Sequence, residues 1–406
     1  MTRRMLPSIV LAAVLISACT GSTPTPTPTA VPTPAPTAAP TPTPEPAPTS
    51  TRPWIEEEVT FAFGQDELYG VLTLPPGQPP FPAVVLVSGS VNPSTGLRGG
   101  VNSNYHSDLA RRLARTGFAA LRYDPPGGGR STGQPGFQTL EDRMEEAAAA
   151  LRYVQTHLDI RPDRVGMHAI SQGGWVIAMA AAKYPEDVAF IVPVSGSGVS
   201  VAEQQVWGIE AQSTAAGLSE EDVAKAVLFG RLLVDWQLDE PIYRQSNQET
   251  ADELGFGSWT GFMKLVYEAG GLSPAEGLEQ GINILSTIQD EPWADALYLK
   301  EVTLPQLESI PPEQLAAVRA MAGRNLLTDP RQYWTQVRCP VLAFLGEDDV
   351  VQPSARSAAL YEQYLTEAGN ENYKIVVIPG VGHEIVPSIT AYWDVLVEWL
   401  GGLFAD

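Results

Sequence analysis

Three side chains that lie far apart along the chain have the types needed to attack a carbonyl carbon. The first is Ser171, in the run Ala-Ile-Ser-Gln-Gly-Gly, between a strand-like segment at 164–169 and a helix-like segment at 175–184. A serine in a tight strand-to-helix turn holds its hydroxyl clear of the sheet. The next backbone N–H, that of Gln172, then points into the same space. This turn predicts a nucleophile and half of an oxyanion hole, and it requires an acid and a histidine elsewhere.

An acid and a histidine follow two apolar runs further along the chain. The run at 341–346 leads to Asp348 and Asp349, and the run at 373–378 leads to His383. Both groups therefore come just after predicted strands, at the edge where ligand sites of open α/β sheets form. His383 is expected to take the serine proton and to return one to the leaving group. Either carboxylate is a candidate for orienting the imidazole.

The chain has four histidines, and the other three fit the role of base less well. His157 ends a predicted helix, which favours a surface position or a contact with the helix dipole. His168 lies three residues before Ser171 on the same strand, too close to reach the hydroxyl, and is expected to pack in the sheet. His106 opens a helix after a glycine-rich loop and is a candidate for the pocket lining.

The second donor of an oxyanion hole is expected from the loop after the first core strand. Residues 88–91 read Ser-Gly-Ser-Val, and the backbone N–H of Ser90 is the best candidate because a permissive glycine precedes it. The histidines are not paired at metal-ligand spacing and no cysteine cluster exists. The glycines at 127–129 lack the spacing of a nucleotide-binding fingerprint. We therefore expect neither a cofactor nor a metal.

Strand-like and helix-like segments alternate on both sides of a central region. Two alternating runs at 57–63 and 68–74, joined by a Gly-Gln-Asp turn, predict an antiparallel hairpin. The continuous apolar run at 83–87 predicts a strand buried on both faces. Residues 139–158 predict a long helix with Thr139 as its N-cap. This alternation predicts an α/β fold with a mostly parallel central sheet.

The central region, 197–336, has a different pattern. Helices are predicted there, for example at 219–236 and 312–327, and glycine and proline clusters separate them. We interpret this region as a helical cap inserted into a core formed by 54–196 and 337–406. Because the insertion separates the predicted nucleophile from its acid, we expect a lid at the active-site edge of the sheet. A separate helical domain without a catalytic role is the alternative.

The N-terminal region predicts export. Residues 1–18 combine early positive charge with a short apolar stretch, as in a signal peptide. The residues before Cys19 are similar to the lipobox of bacterial lipoproteins, which implies cleavage there and lipidation of the thiol. Residues 22–53 contain twelve prolines and ten threonines, so 19–53 is predicted to be a lipidated cysteine followed by a semi-rigid spacer. We expect a cell-envelope lipoprotein at an extracytoplasmic membrane surface, with an ordinary secreted protein as the alternative.

Charge and cysteine content limit the function classes further. The net charge of −22 argues against nucleic acid as a partner, because phosphates would be repelled. The chain has two cysteines, and lipidation of Cys19 would leave Cys339 without a disulfide partner. Cys339 precedes an apolar strand and is expected to be a small buried hydrophobic residue, not a nucleophile.

With these motifs in view, the chain resembles the serine α/β-hydrolases, and more narrowly a secreted bacterial esterase-like group. The resemblance lies in the runs at 82–90, 113–124 and 171–174, which follow the family patterns around its first core strands and its nucleophile. The nucleophile, the acid and the histidine also come in the order of this family. The resemblance covers 57–196 and 337–406, and it implies the α/β-hydrolase fold with an N-terminal β-hairpin and an inserted cap.

The resemblance also bears on individual site residues. A Gly-x-x-Asp spacing from Gly346 implies that Asp349 is the acid in preference to its neighbour. Three positions depart from the family pattern. Ala169 and Ile170 stand where glycine and histidine are frequent before the serine, and Pro126 replaces an arginine in a loop that braces the site. These departures leave the three reacting side chains in place and make the pocket shape harder to predict.

The function implied is a carboxylesterase that forms an acyl-enzyme on a small-molecule ester. A thioesterase or a serine peptidase on the same fold is an alternative, although no repeat of about 40–50 residues indicates the propeller of an oligopeptidase. A lipid-anchored binding protein that has lost catalysis is another. An intact set of serine, aspartate and histidine argues against that reading, because binding alone needs none of them.

Overall fold

The computed structural model describes residues 53–90, 99–134, 138–238, 240–254, 257–268, 274–297, 299–309 and 311–404. The predicted signal peptide (1–18), Cys19 and the linker up to residue 52 lie outside the described residues. Within those ranges, every helix is too short or too polar to cross a bilayer.

In the described part of the chain, eight strands form one sheet with the order β1-β2-β4-β3-β5-β6-β7-β8. The strands are β1 (Ile55–Phe63), β2 (Asp66–Leu74), β3 (Phe81–Val87), β4 (Ala119–Tyr123), β5 (Ile160–Ile170), β6 (Ile191–Val194), β7 (Val341–Gly346) and β8 (Tyr373–Ile378). Strands β3 to β8 run parallel, and β1 and β2 add an antiparallel hairpin at one edge. The prediction of a mostly parallel sheet with an N-terminal hairpin is confirmed.

The strand sequences follow from their position in the sheet. All six residues of β7 are buried, as are the last five of β3. A parallel strand covered on both faces has no solvent-facing side, so it is a continuous apolar run. The outer strand β1 alternates between buried and more exposed residues instead, because helices cover less of it. The two patterns therefore distinguish the centre of the sheet from its edge.

The helices, numbered along the chain, are α1 (Asn104–Arg115), α2 (Leu140–Gln155), α3 (Gly173–Lys183), α4 (Val201–Ala215), α5 (Glu220–Gln237), α6 (Arg244–Leu254), α7 (Gly257–Tyr267), α8 (Pro274–Ile288), α9 (Pro292–Ala296), α10 (Leu304–Ser309), α11 (Pro312–Leu326), α12 (Arg331–Trp334), α13 (Ser354–Glu367) and α14 (Thr390–Leu403). A π-helical turn at Leu299–Thr303 precedes α10. The predicted N-cap of α2 is confirmed: the Thr139 hydroxyl accepts from the Asp142 N–H at 3.1 Å, and the Asp142 carboxylate accepts from the Thr139 N–H at 2.9 Å.

Helices from both core segments cover the two faces of the sheet. On one face α2, α3 and α13 bury Leu151, Val176 and Tyr361 against the strands. On the other face α1 and α14 bury Leu109 and Leu396. The carboxyl ends of the parallel strands lie at one edge between these layers, where loops can bring polar groups together.

In the described residues between β6 and β7, the regular elements are helices, from α4 to α12, and turns connect them. It has an apolar cluster of its own around Phe229. Polar contacts tie it to the core, since the Gln204 side chain donates to the Val351 carbonyl at 2.6 Å. The Leu140 N–H at the start of α2 also donates to the Asn325 side chain at 2.9 Å.

Candidate active site

Ser171 and Gln172 form the two-residue turn between β5 and α3. The Ser171 φ of +51° is a left-handed conformation that costs a non-glycine residue about 1–3 kcal/mol. The surrounding backbone holds it there, because the Ser171 N–H donates to the Val194 carbonyl of the neighbouring strand at 2.8 Å. A Cβ at Gly173 would lie 2.8 Å from the Ser88 carbonyl oxygen, so the turn needs a glycine at this position. The tight turn predicted from the sequence is present.

His383 lies in the loop after β8, and its Nε2 is 3.0 Å from the Ser171 hydroxyl. The loop is fixed from behind by Ser195, whose hydroxyl donates to the His383 carbonyl at 2.8 Å. Ser195 follows β6 and has a φ of +50°, so it too is in a strained conformation. Two neighbouring strands thus end in strained serines, one contacting the imidazole and one contacting its backbone.

Asp349 follows β7, and its Oδ2 is 2.8 Å from His383 Nδ1. Its other oxygen accepts from the backbone N–H groups of Val351, at 2.7 Å, and Gln352, at 2.9 Å. A carboxylate at this distance can accept from an N–H at Nδ1, an arrangement that leaves Nε2 to accept from the serine hydroxyl. Asp349 is buried, whereas Asp348 is exposed. Of the two predicted acids, the structure places Asp349 against the imidazole.

The remaining histidines are held away from the Ser171 hydroxyl. His168 is buried in the sheet with its Nε2 2.8 Å from the Tyr392 hydroxyl, and burial, with a smaller effect from nearby His106, lowers its pKa to about 3. His106 lines the pocket, and burial, with a smaller effect from Arg122, lowers its pKa to about 4. Both are therefore neutral at pH 7. His157 lies just past α2, with Nε2 3.2 Å from a Glu57 oxygen.

The two predicted oxyanion donors lie beside the nucleophile. Gln172 directly precedes α3, where the first N–H groups have no partner within the helix. Ser90 lines the same pocket as the Ser171 hydroxyl. The segment before it packs tightly on the turn, because a Cβ at Gly89 would lie 3.3 Å from Ser171 Cβ. The Gly89 segment therefore packs against Ser171, and Gln172 follows Ser171 directly in the turn.

The loop after β4, where the chain departs from the family pattern, is organised by a buried carboxylate. Asp124 accepts from the N–H of Val101 at 2.9 Å and from the N–H of Arg130 at 3.0 Å. The Ser131 hydroxyl donates to the Asp124 carbonyl at 2.7 Å. Pro126 therefore stands in a loop that is still fixed to the segment before α1, so the brace does not depend on an arginine at that position.

A cavity of about 380 Å³ opens at the Ser171 hydroxyl. Its described lining comes from the two core segments and combines small polar with branched apolar side chains. The lining residues are Ser88, Gly89, Ser90, Gly99, Ser103, Tyr105, His106, Ile170, Ser171, Val194, Ser195, His383, Glu384, Ile385 and Val386. The described cap residues do not contribute to this lining, so the predicted lid role of the cap stays a prediction.

Two residues at the site were not singled out by sequence reasoning. Ser195 carries no motif, since its role depends on a contact with a carbonyl 188 residues further along the chain. Arg143 lies on α2 among buried residues and is itself only 3% exposed. A charged residue on the apolar face of a helix is a signal that could have found it, because such a charge must have partners.

Comparisons with known proteins bear on both halves of the site. Residues 97–255, which include Ser171, match the family described as Serine aminopeptidase, S33. Residues 311–395, which include Asp349 and His383, match BAAT / Acyl-CoA thioester hydrolase C terminal. The structure of DcsB in complex with its substrate analogue superposes with a TM-score of 0.50 and 18% identity, over 87% of this chain and 100% of that chain.

The two matched families are families of hydrolases, and the matched regions together contain the serine, the acid and the histidine. The predicted α/β-hydrolase fold is confirmed. The chain is also similar to proline iminopeptidase from Mycobacterium smegmatis, with a TM-score of 0.49 and 16% identity over 86% of this chain and 98% of that chain.

One curated relative matches a short part of this chain. It is a probable 2-oxo-3-(5-oxofuran-2-ylidene)propanoate lactonase from Bradyrhizobium sp, 35% identical over 95 residues. The match covers 21% of this chain and 38% of the relative. The chain therefore aligns with well under half of that lactonase.

Proposed function

We propose that this hydrolase cleaves carboxylic esters through an acyl-enzyme formed on Ser171. The Ser171 oxygen attacks the ester carbonyl carbon while His383 Nε2 takes the hydroxyl proton. The tetrahedral intermediate collapses, the bond to the alkoxy oxygen breaks, and His383 gives the proton to the leaving alcohol. The product of this half-reaction is an ester between the acyl group and Ser171.

Water completes the cycle by hydrolysing this acyl-enzyme. In this second half-reaction water is the nucleophile and Ser171 is the leaving group. His383 takes a proton from water, the hydroxide oxygen attacks the acyl carbon, and Ser171 leaves with the proton that His383 returns. The backbone N–H groups of Gln172 and Ser90 stabilise the negative oxygen in both tetrahedral intermediates. Asp349 keeps Nδ1 protonated and stabilises the imidazolium that forms in each half-reaction.

One observation carries this proposal: Ser171, His383 and Asp349 form a continuous hydrogen-bonded chain, with 3.0 Å from the serine to Nε2 and 2.8 Å from Nδ1 to the acid. These distances lie within the reach needed for proton transfer. The assembly is also strained at Ser171, whose φ is +51°. Backbone strain of this kind clusters at active sites and supports a role beyond packing.

The size and lining of the cavity support a small substrate. A space of about 380 Å³ lies near the lower end of the range for small-molecule pockets. Four branched apolar residues line it beside the polar groups: Ile170, Val194, Ile385 and Val386. We expect kcat/KM on p-nitrophenyl esters to be highest for acyl groups between acetyl and hexanoyl and to fall for decanoyl and longer chains.

The family matches make thioester and amide cleavage the alternatives to test in the same experiment. One acyl group is offered as an oxygen ester, a thioester and an anilide, so that only the leaving group changes. Oxygen-ester cleavage should have the highest kcat/KM. A strong preference for the thioester or for an aminoacyl anilide would instead assign the site to thioesterase or peptidase chemistry, and absence of turnover on all three would contradict hydrolysis.

We also propose that Cys19 anchors the enzyme at a membrane surface, with the spacer up to residue 53 between anchor and core. This rests on the sequence alone. The full chain expressed in a bacterium should fractionate with membranes, and Cys19→Ser should appear in the soluble fraction. Membrane association of Cys19→Ser equal to that of the unchanged protein would contradict a lipid anchor at this residue.

A further inference from the structure

Arg143 connects the two segments that flank the nucleophile. It projects from α2, and its Nη2 donates to the Ser88 carbonyl at 2.7 Å and to the Gly89 carbonyl at 2.9 Å. Its Nη1 donates to the side-chain oxygen of Gln172. One buried guanidinium therefore contacts both the loop after β3 and the turn after β5, which carry the two proposed oxyanion donors.

These contacts fix the direction of a backbone N–H. The Gly89 carbonyl and the Ser90 N–H belong to the same peptide unit, and in a planar trans peptide they point in opposite directions. Ser90 is not a proline, so the Gly89–Ser90 bond is an ordinary trans peptide. With the Gly89 carbonyl turned to the guanidinium, the Ser90 N–H is turned away from it. Ser90 lines the pocket, so an N–H turned away from the guanidinium is available to face the substrate space.

The charge on Arg143 also acts on the strength of the donor. Hydrogen bonds polarise one another along a peptide unit, so a carbonyl that accepts from a cation makes its N–H a better donor. Because the arginine is only 3% exposed, water screens this effect little. Burying a guanidinium costs free energy unless hydrogen-bond partners are well placed around it. Among the partners of Arg143 are the backbone carbonyls of Ser88 and Gly89.

Glycines bring the same two segments into close contact. A Cβ at Gly89 would lie 3.3 Å from Ser171 Cβ, and a Cβ at Gly173 would lie 2.8 Å from the Ser88 oxygen. The two backbones therefore touch directly, and a glycine peptide has many conformations available. A fixed guanidinium behind the loop removes that freedom at the peptide that carries the donor.

We propose that Arg143 is the positioning residue of the oxyanion hole: it aims the Ser90 N–H and couples it to the turn that carries Gln172. The inference rests on the proposed function, because it assigns a role within that reaction. The contacts of Arg143 with the Ser88 and Gly89 carbonyls and with the Gln172 side chain let the arginine act through the two loops. Its contribution should appear in the transition state, where negative charge develops on the carbonyl oxygen, and little in the binding of the ground state.

The test compares Arg143→Met and Arg143→Lys with Arg152→Met. Arg152 lies on the same helix, is 45% exposed and pairs with Asp187 at 3.0 Å, so its variant controls for losing an arginine from α2. We expect kcat for the best ester to fall roughly 10- to 100-fold in Arg143→Met with KM little changed, since a misdirected donor loses part of the effect of deleting one. Arg143→Lys should recover part of this loss, and Arg152→Met should match the unchanged enzyme.

A second measurement separates positioning from a general effect on folding. A trifluoromethyl ketone forms a tetrahedral adduct with a serine nucleophile, and its affinity should fall in parallel with kcat/KM in the Arg143 variants. Affinity for the product carboxylic acid should stay constant. Rates are expressed per site titrated with a fluorophosphonate, so a smaller folded fraction does not lower them.

The Gln172→Leu variant tests the same contact without removing the buried charge of Arg143. It removes the side-chain contact from the other end and keeps the Gln172 N–H, so its effect should be smaller than that of Arg143→Met and not additive with it. Arg143 and Gln172 variants with unchanged kcat per site and unchanged ketone affinity would overturn the inference while leaving the esterase proposal intact. An unchanged enzyme that neither turns over esters nor binds the probe would overturn both.

Discussion

The Ser171→Ala variant is expected to lose kcat for p-nitrophenyl esters by a factor on the order of 10⁶, because removal of the nucleophile of a triad disables all three members together. His383 would then have no hydroxyl to activate at 3.0 Å, and only the oxyanion donors and substrate binding would remain. Initial rates with the preferred short-chain ester, together with labelling by a fluorophosphonate, measure the loss. Thermal unfolding of the variant should occur at or above the temperature of the unchanged protein, since the strained serine contributes little packing.

A matched serine variant makes the result specific. Ser286 lies on α8, is exposed, and donates to the Ile282 carbonyl at 2.7 Å, so Ser286→Ala removes one hydroxyl far from the cavity. This control should retain full activity and labelling. Ester hydrolysis by Ser171→Ala at a rate near that of the control would show that Ser171 is not the nucleophile.

The Asp349→Asn variant is expected to lower kcat by about 10⁴-fold while leaving the loop geometry largely intact. An amide NH₂ facing His383 would favour the tautomer with the proton on Nε2, and that nitrogen could no longer accept the serine proton. The Asn carbonyl could still accept from the backbone N–H of Val351, which limits the structural change. Rates are measured across pH, because a tautomer effect should persist at every pH at which the enzyme is folded.

The neighbouring acid provides the control for this variant. Asp348 has the same side chain, is exposed, and contributes its backbone N–H to the Val381 carbonyl at 2.9 Å. Asp348→Asn should therefore keep activity within a few-fold of the unchanged enzyme. If the loss instead followed Asp348→Asn, the acid of the site would be Asp348 and the assignment of Asp349 would be wrong.

The site was accessible to sequence reasoning because the fold places strand ends together. Ser171, Asp349 and His383 each follow a predicted strand, and the carboxyl ends of parallel strands share one edge. At that edge the serine and the histidine are within hydrogen-bond distance, although 212 residues separate them in the sequence. The run before Asp349 is buried throughout, as expected of a parallel strand covered on both faces. The strand before His383 lies at the edge of the sheet, and only Ile378 of its residues is buried.

Ser195 and Arg143 could not be predicted in the same way. Each acts on a backbone carbonyl, and a carbonyl has no side-chain type that a sequence can reveal. Their roles depend on how the loops after β3 and β8 turn, which is decided by packing between distant segments. The order of the strands in the sheet depends likewise on long-range pairing, for example of β3 with both β4 and β5.

The central helical region shows where sequence patterns were least informative. Two of its predicted helices appear with nearly the expected bounds, at Glu220–Gln237 and Pro312–Leu326. The position of this region relative to the pocket could not be predicted from the sequence, because a lid is defined by contacts between distant segments. In the structure, the described lining residues of the pocket all belong to the core. Trp293 is fully buried in the apolar cluster of this region, so packing explains the tryptophan at this position.

Peptide mapping after fluorophosphonate labelling tests the central claim most directly. The protein is incubated with the probe, digested, and analysed by mass spectrometry for the residue that carries the phosphonyl group. The account predicts one adduct, on Ser171, that forms more slowly when His383 is replaced by alanine. A phosphonylated residue elsewhere, or an unlabelled native protein that still hydrolyses esters, would contradict it.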